Sequence, residues 1–201
     1  MSRVKRNIVA NAAGKGWASI NFLIFTPVYL HLMGAEAYGM IGFFATLQAV
    51  MFLLDAGLST SLNRELARAS AGAREAQASR ELVRTLETLY FLLAAGILVL
   101  LLIAAVPLSR YWLHGHDLSP AQRQPVLMLM AGALAVQFPV HLFESGLNGL
   151  QRQVLASGTA SVFVTVRYGG AALLLWLYRP SLDVFFGWMI LTMGVQTWVT
   201  R

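Results

Sequence analysis

The sequence predicts an all-α polytopic membrane bundle, and three observations lead there. Hydrophobic residues make up 57% of the 201-residue chain and charged residues only 12%. A soluble domain carries roughly 25% charged residues, so there are too few charges here to coat a water-facing globule. The run 89–106 holds no charge and no Asn or Gln over eighteen positions, which meets the length criterion for a helix crossing the hydrocarbon core. Apolar windows of similar length then recur along the whole chain, separated by short segments rich in Gly, Pro, Ser and charge.

Those windows define about six candidate spans in a single transmembrane domain covering 1–201, at about 10–33, 38–63, 86–107, 125–150, 154–178 and 183–200. The second and fourth exceed the roughly twenty residues a bilayer requires, so tilt or protrusion is expected of them. Turn signals fall between the spans: "GAEAYG" at 34–39, "RASAGAREAQASR" at 68–80, "HGHDLSPAQRQP" at 114–125 and "YRPSLD" at 178–183. The first span is long and contains Lys15 and Pro27, which argues against a cleaved secretory signal.

Orientation follows from the basic residues. With a cytoplasmic N-terminus, ten of them (Arg3, Lys5, Arg6, Arg64, Arg68, Arg74, Arg80, Arg84, Arg152 and Arg201) fall on the inner side and three (Arg110, Arg123 and Arg179) on the outer. This is the bias expected of a multi-pass membrane protein with positive loops on the cytoplasmic side. It also accounts for the net charge of +6 without nucleic acid, since no basic stripe with interleaved aromatics occurs on a soluble domain. The chain has no cysteine, so neither a disulfide framework nor a thiolate metal site is available.

Polar residues inside the spans are periodic. Gln48, Asp55, Ser59 and Asn63 follow at intervals of seven, four and four, which at 100° per residue places them within roughly 80° of one another on the second span. Gln137, His141, Glu144 and Asn148 repeat the pattern on the fourth span within roughly 60°. A shift of 89 residues lays Gln48 on Gln137, Asp55 on Glu144, Gly57 on Gly146 and Leu58 on Leu147. Taken singly, an amide or hydroxyl in a span serves as interhelical glue. A carboxylate there costs about 2.5–3.5 kcal/mol, so two at matching positions favour a hydrated cavity or an ion-pair role.

Two intramembrane bases are candidate partners. Lys15 shares a stripe of the first span with Asn11, Ser19 and Thr26, and Arg167 lies about ten residues from either end of the fifth. Lys15 has the alternative of snorkelling to the inner interface, whereas Arg167 is too deep for that. A buried pair with a carboxylate, Glu87 being one choice, is the structural alternative for Arg167. Pro27 and Pro139 imply kinks inside spans, and the five tryptophans mostly fall near span ends, where an interfacial belt forms. "HGHD" at 114–117 offers three metal-ligand side chains without a defined further ligand, a pattern that reads as a solvated loop. No cofactor motif is present: there is no P-loop, no "GxSxG" and no zinc spacing.

The stretches "TPVYLHLMGAEAYGMIGFFATLQAV" (26–50) and "LLDAGLSTSLNRELAR" (53–68) resemble the amino-terminal signature of polysaccharide-biosynthesis flippases, the O-antigen type transporters of the multidrug/oligosaccharidyl-lipid/polysaccharide superfamily. The likeness rests on the "GAEAYG" turn, the aspartate-glycine-leucine step and the basic end of the second span, in that order. It implies a two-lobed bundle of twelve to fourteen helices around a central cavity, moving an undecaprenyl-diphosphate-linked oligosaccharide across the cytoplasmic membrane. This chain corresponds to the first lobe, so a second lobe or other polysaccharide-assembly proteins, with membrane lipids, are the implied partners. On that resemblance Lys15 and Arg167 hold the diphosphate, and Gln48, Asp55, Gln137, His141 and Glu144 line the cavity, the carboxylates orienting the bases or carrying a coupling proton. A drug/cation antiporter of the same superfamily is the alternative, though its acidic residue in the first span is missing. A membrane-embedded glycosyl- or acyltransferase is the alternative of another class, with "HGHD" as its one poor candidate.

Overall fold

The computed structural model describes residues 3–70, 76–112 and 120–201. Its elements are helices α1 (Arg3–Ser70), α2 (Ala76–Pro107), α3 (Pro120–Gly149), α4 (Gln153–Leu177) and α5 (Leu182–Thr200), with a π-helical turn, Leu108–Trp112, extending α2. Among the described residues there is no strand. Five helices are long and apolar enough to cross a membrane, so the chain is an all-α membrane protein. "HGHD" lies outside the described residues.

α1 is two helices joined at Gly34, whose φ of 84° and ψ of 171° break the helical path. A side chain is disfavoured in that backbone region, and glycine enters it without a Cβ penalty. The chain reverses there: the Tyr38 hydroxyl donates to Thr26 Oγ1 at 3.2 Å, twelve residues back. Lys15 and Asp55 consequently line one cleft, although forty residues of straight helix would separate them by about 60 Å. We call 3–33 the first arm and 35–70 the second arm. Of the "GAEAYG" segment, only Gly34 departs from helical geometry.

α3 is the central helix. It packs against α1, α2 and α5, and its apolar window is 67% buried, against 17% for α2 and 11% for α4. Its neighbours therefore screen it from lipid while they face lipid themselves. The second arm and α3 run side by side in the same direction: Gln48 meets Gln137 near one end, and Gly149 approaches Asn63 and Leu66 near the other. A Cβ on Gly149 would lie 2.8 Å from the Asn63 carbonyl oxygen and 2.9 Å from Leu66 Cβ, so glycine permits the two backbones to touch. The internal repeat of 89 residues is thus a pair of adjacent parallel helices.

The α3–α4 connection is tight. Gln151 takes a left-handed φ of 59°, and the Arg152 amide donates to the Leu147 carbonyl at 2.9 Å. This sets the end of α3 beside the start of α4. α5 begins after Pro180 at an N-cap serine, Ser181, whose hydroxyl accepts from the Val184 amide, the role expected of serine at that position.

Two apolar cores hold the bundle. The larger joins Tyr29, Met40, Phe44, Met130, Leu134, Leu175, Phe185, Phe186 and Met193 with their neighbours, and the smaller joins Leu62, Leu66, Tyr90, Phe138 and Leu142 across the second arm, α2 and α3. Phe185 and Phe186 meet Tyr29 and Phe44 edge-on, at centroid separations of 5.3 and 5.1 Å, a favoured arrangement for aromatic rings. This aromatic core closes the end of the bundle near Gly34.

Candidate functional site

Four helix segments leave a cleft of about 440 Å³ at the opposite end of the bundle. The first arm contributes Asn11 and Lys15, the second arm Asp55, Ser59 and Thr60, α3 His141, Glu144 and Asn148, and α4 Ser157. The volume lies in the range of about 300–1,000 Å³ usual for ligand sites. The walls on the second arm and α3 carry part of the polar stripe of each helix, whereas the α4 wall is Ser157 among Ala156, Ala160 and Val164. Of the candidate residues, Lys15, Asp55, His141 and Glu144 are brought together in this cleft.

Asp55 is 2% exposed. Its two carboxylate oxygens each accept a hydroxyl, one from Ser59 a turn further along the same helix and one from Tyr90 on α2. Ser59 and Tyr90 also lie 3.0 Å apart, oxygen to oxygen, so the three side chains form a closed polar triangle inside an otherwise apolar contact. Tyr90 is fully buried and packs against the tilted Phe138 ring at a centroid separation of 5.1 Å. Nothing in the sequence marks it except a hydroxyl at the start of the long apolar run.

Glu144 is held differently. Gln196 of α5 donates from Nε2 to Glu144 Oε1 at 3.0 Å, and the same amide accepts through Oε1 from Arg167 Nη2. The amide thus links the cation of α4 to the carboxylate of α3, and Arg167 and Glu144 act electrostatically on each other. Arg167 does not line the cleft; it stands behind its wall, with Nε buried and unpartnered. Gln196 is 3% exposed and is the lone amide of α5, a signal available in the sequence.

Gln48 and Gln137 also stand outside the cleft lining. Gln48 Nε2 donates to Gln137 Oε1 at 2.6 Å, so the equivalent glutamines of the repeat bind each other. That is the interhelical glue role. Glu87 pairs with Arg201 at 2.7 Å rather than with Arg167, because α2 lies against α3 and does not pack along α4.

Lys15 is exposed, and its ammonium has no carboxylate partner within salt-bridge distance among the described residues. It shares the cleft with two carboxylates, both already engaged by hydroxyl or amide donors. His141 faces Asp55 and Arg167 electrostatically and meets the Phe52 ring edge-on at 6.3 Å. On α4, Thr165 accepts from Trp17 Nε1 at 2.8 Å and the Tyr168 carbonyl accepts from the Tyr29 hydroxyl at 2.7 Å. These contacts lock the first arm to α4 beyond the inner end of the cleft. The arrangement offers a recess in which hydroxyl, amide and charged side chains are set among small apolar ones, with Lys15 its one unpaired cation among the described residues and the aromatic core beyond it toward Gly34.

No family model matches the chain, and no curated protein or solved structure matches it either.

Proposed function

We propose that this chain binds the substrate of a transporter that moves a polyprenyl-diphosphate-linked oligosaccharide across the bacterial inner membrane for surface polysaccharide synthesis, with its N-terminus in the cytoplasm. The observation that carries the reading is a cleft confined to one end of the bundle. Basic residues cluster at that end, as they do on cytoplasmic faces, and the aromatic core fills the other. An alternating-access transporter needs a midplane recess reachable from one side at a time. Lys15, unpaired among the described residues, supplies a point charge for a diphosphate, and Asn11, Thr60, Asn148 and Ser157 supply donors and acceptors for sugar hydroxyls. Arg167 acts from behind the wall, raising the potential of the recess while Glu144 balances it.

The test is binding by the purified chain of a short-chain polyprenyl diphosphate bearing one sugar. Binding that weakens about tenfold in Lys15→Gln, the loss of one charge-assisted contact, supports the proposal. Undiminished binding in that variant removes Lys15 from the diphosphate site. Preference for a hydrophobic cation over the diphosphate favours the drug/cation antiporter, since Asp55 and Glu144 are the cleft's carboxylates.

A further inference from the structure

A second recess lies on the other side of the contact between the first arm and α4. A cavity of about 530 Å³ is lined by Arg6, Arg152, Leu155 and Thr159, and a cavity of about 430 Å³ by Ala10, Ala13, Gly14, Trp17 and Ser161. Both are lined by Val154 and Gly158, so they form one continuous groove from the two arginines to Trp17. Gly14 and Ser157 border this groove and the cleft alike; a Cβ on Gly14 would meet Ser157 Cβ at 3.2 Å. Their contact is the wall between the two.

The groove is chemically graded. Arg6 and Arg152, far apart in sequence, converge at one end, and among the described residues no Asp or Glu lines either cavity. Neither arginine has a carboxylate partner among the described residues. The N-cap Arg152 makes no side-chain cap and no acidic residue occupies the first turn of α4, so the field of the helix start is not offset there either. Two like charges held at one cavity favour an anion between them. Beyond them the walls are mainly apolar, Ala10, Ala13, Gly14, Val154 and Gly158 with the Ser157, Thr159 and Ser161 hydroxyls of α4, and reach Trp17 eleven residues along the first arm, about 16 Å of helix, close to half the roughly 30 Å hydrocarbon thickness. That is one leaflet, the depth of one acyl chain.

We infer that this groove binds one anionic phospholipid, its phosphate between Arg6 and Arg152 and one acyl chain along the small-residue wall toward Trp17. Basic pockets between membrane helices recognise anionic headgroups, and a cation near the surface contributes about fivefold in affinity. A lipid seated here covers the outer side of the Gly14–Ser157 contact and braces the cleft wall. The inference does not depend on what the cleft carries.

The experiment uses the full chain in phosphatidylcholine nanodiscs, with phosphatidylglycerol or phosphatidylcholine brominated on the acyl chain titrated in. The signal is the fluorescence quenching that Trp17→Phe removes. Brominated phosphatidylglycerol is expected to quench at roughly tenfold or more lower mole fraction than brominated phosphatidylcholine, the effect of two arginines together. That preference is expected to vanish in Arg6→Gln/Arg152→Gln. Gly158→Leu, which fills open space in the groove and leaves both charges, is expected to abolish quenching by either lipid. Inorganic phosphate is expected not to compete, since it has no chain to seat. Equal quenching by the two lipids in the unaltered chain, a preference that survives loss of both arginines, quenching that survives Gly158→Leu, or displacement by inorganic phosphate would each overturn the inference. So would no Trp17 quenching by any brominated lipid, which would mean that a protein helix covers the groove.

Discussion

Asp55 and Glu144 occupy equivalent positions on adjacent parallel helices, and the protein satisfies them by different means. Asp55 sits where the second arm presses on α2, nearly shut off from solvent, with neutral hydroxyls on both oxygens. Glu144 is more open, and an amide couples it to a buried guanidinium on α4. One carboxylate is a local polar cluster; the other is half of an electrostatic pair that ties together α3, α4 and α5. A repeat in sequence therefore supplies the same chemistry twice to two different neighbourhoods, and the neighbours decide its role.

The largest expected effect tests that contrast. Glu144→Gln strips Arg167 of its balancing charge; breaking a fully buried pair on one side costs roughly 3–5 kcal/mol, and the loss here is expected toward the lower end of that range, because the link runs through Gln196 and Glu144 is half-buried. Asp55→Asn is expected to cost less, because its partners are neutral and an amide can still accept one hydroxyl. Thermal unfolding of the two variants in one detergent compares them directly, and Glu144→Gln/Arg167→Gln should recover most of the Glu144→Gln loss. Equal destabilisation by Asp55→Asn and Glu144→Gln would erase the distinction.

That distinction was only half legible in the sequence. The all-α membrane class follows from composition and apolar windows, and the 100° periodicity of each stripe identifies Asp55, His141, Glu144 and Asn148 as sharing faces. Lys15 joins them because Gly34 folds α1 back, a reversal the turn signal announces. Periodicity gives a face but not a neighbour at each depth. Gln48 and Gln137 lie on those same faces, yet at their level the amides bind each other; Asp55, Ser59, His141, Glu144 and Asn148, between that pair and the Asn63–Gly149 contact, line the cleft instead. Arg167 finds Gln196 and Glu144 through the docking of α5 on α3, and Glu87 finds Arg201, because partner choice depends on helix order in the bundle.

A smaller effect sharpens the Asp55 side. Tyr90→Phe removes one donor from a buried carboxylate, where a hydrogen bond to a charged group contributes about 1.5–3 kcal/mol. The same change should leave the Arg167–Gln196–Glu144 link untouched, so Tyr90→Phe and Glu144→Gln losses should add within about 0.5 kcal/mol. Strong non-additivity in the double variant would mean that the two carboxylates belong to one network.

Gly149→Ala probes the contact that holds the two repeat helices parallel. Its added methyl meets the Asn63 backbone and Leu66, and overpacking of this kind costs about 1–3 kcal/mol. Unfolding at an unchanged temperature would show that the helices do not touch there.

The smallest effect separates glue from wall. Gln48→Leu should cost about 0.6 kcal/mol, the average for a hydrogen bond between membrane helices. Gln48→Leu/Gln137→Leu should be nearly neutral, because neither amide is left unpaired. A double variant less stable than either single one would give the glutamines a role beyond each other.

A cleft walled by four helix segments functions as a binding recess only if water enters it, and thiol accessibility measures that directly in this cysteine-free chain. Asn148→Cys and Ser145→Cys place thiols on the cleft walls, while Leu100→Cys and Ile103→Cys place them on the outward face of α2, where the native side chains are 66% and 68% exposed and lie against lipid in a membrane. With a small water-soluble thiol reagent applied to the membrane-embedded protein, the two cleft cysteines are expected to react at least about tenfold faster, since lipid excludes both water and the reactive thiolate. Equal, slow reaction at all four positions would contradict a hydrated cleft and reduce the polar stripes to packing contacts between helices.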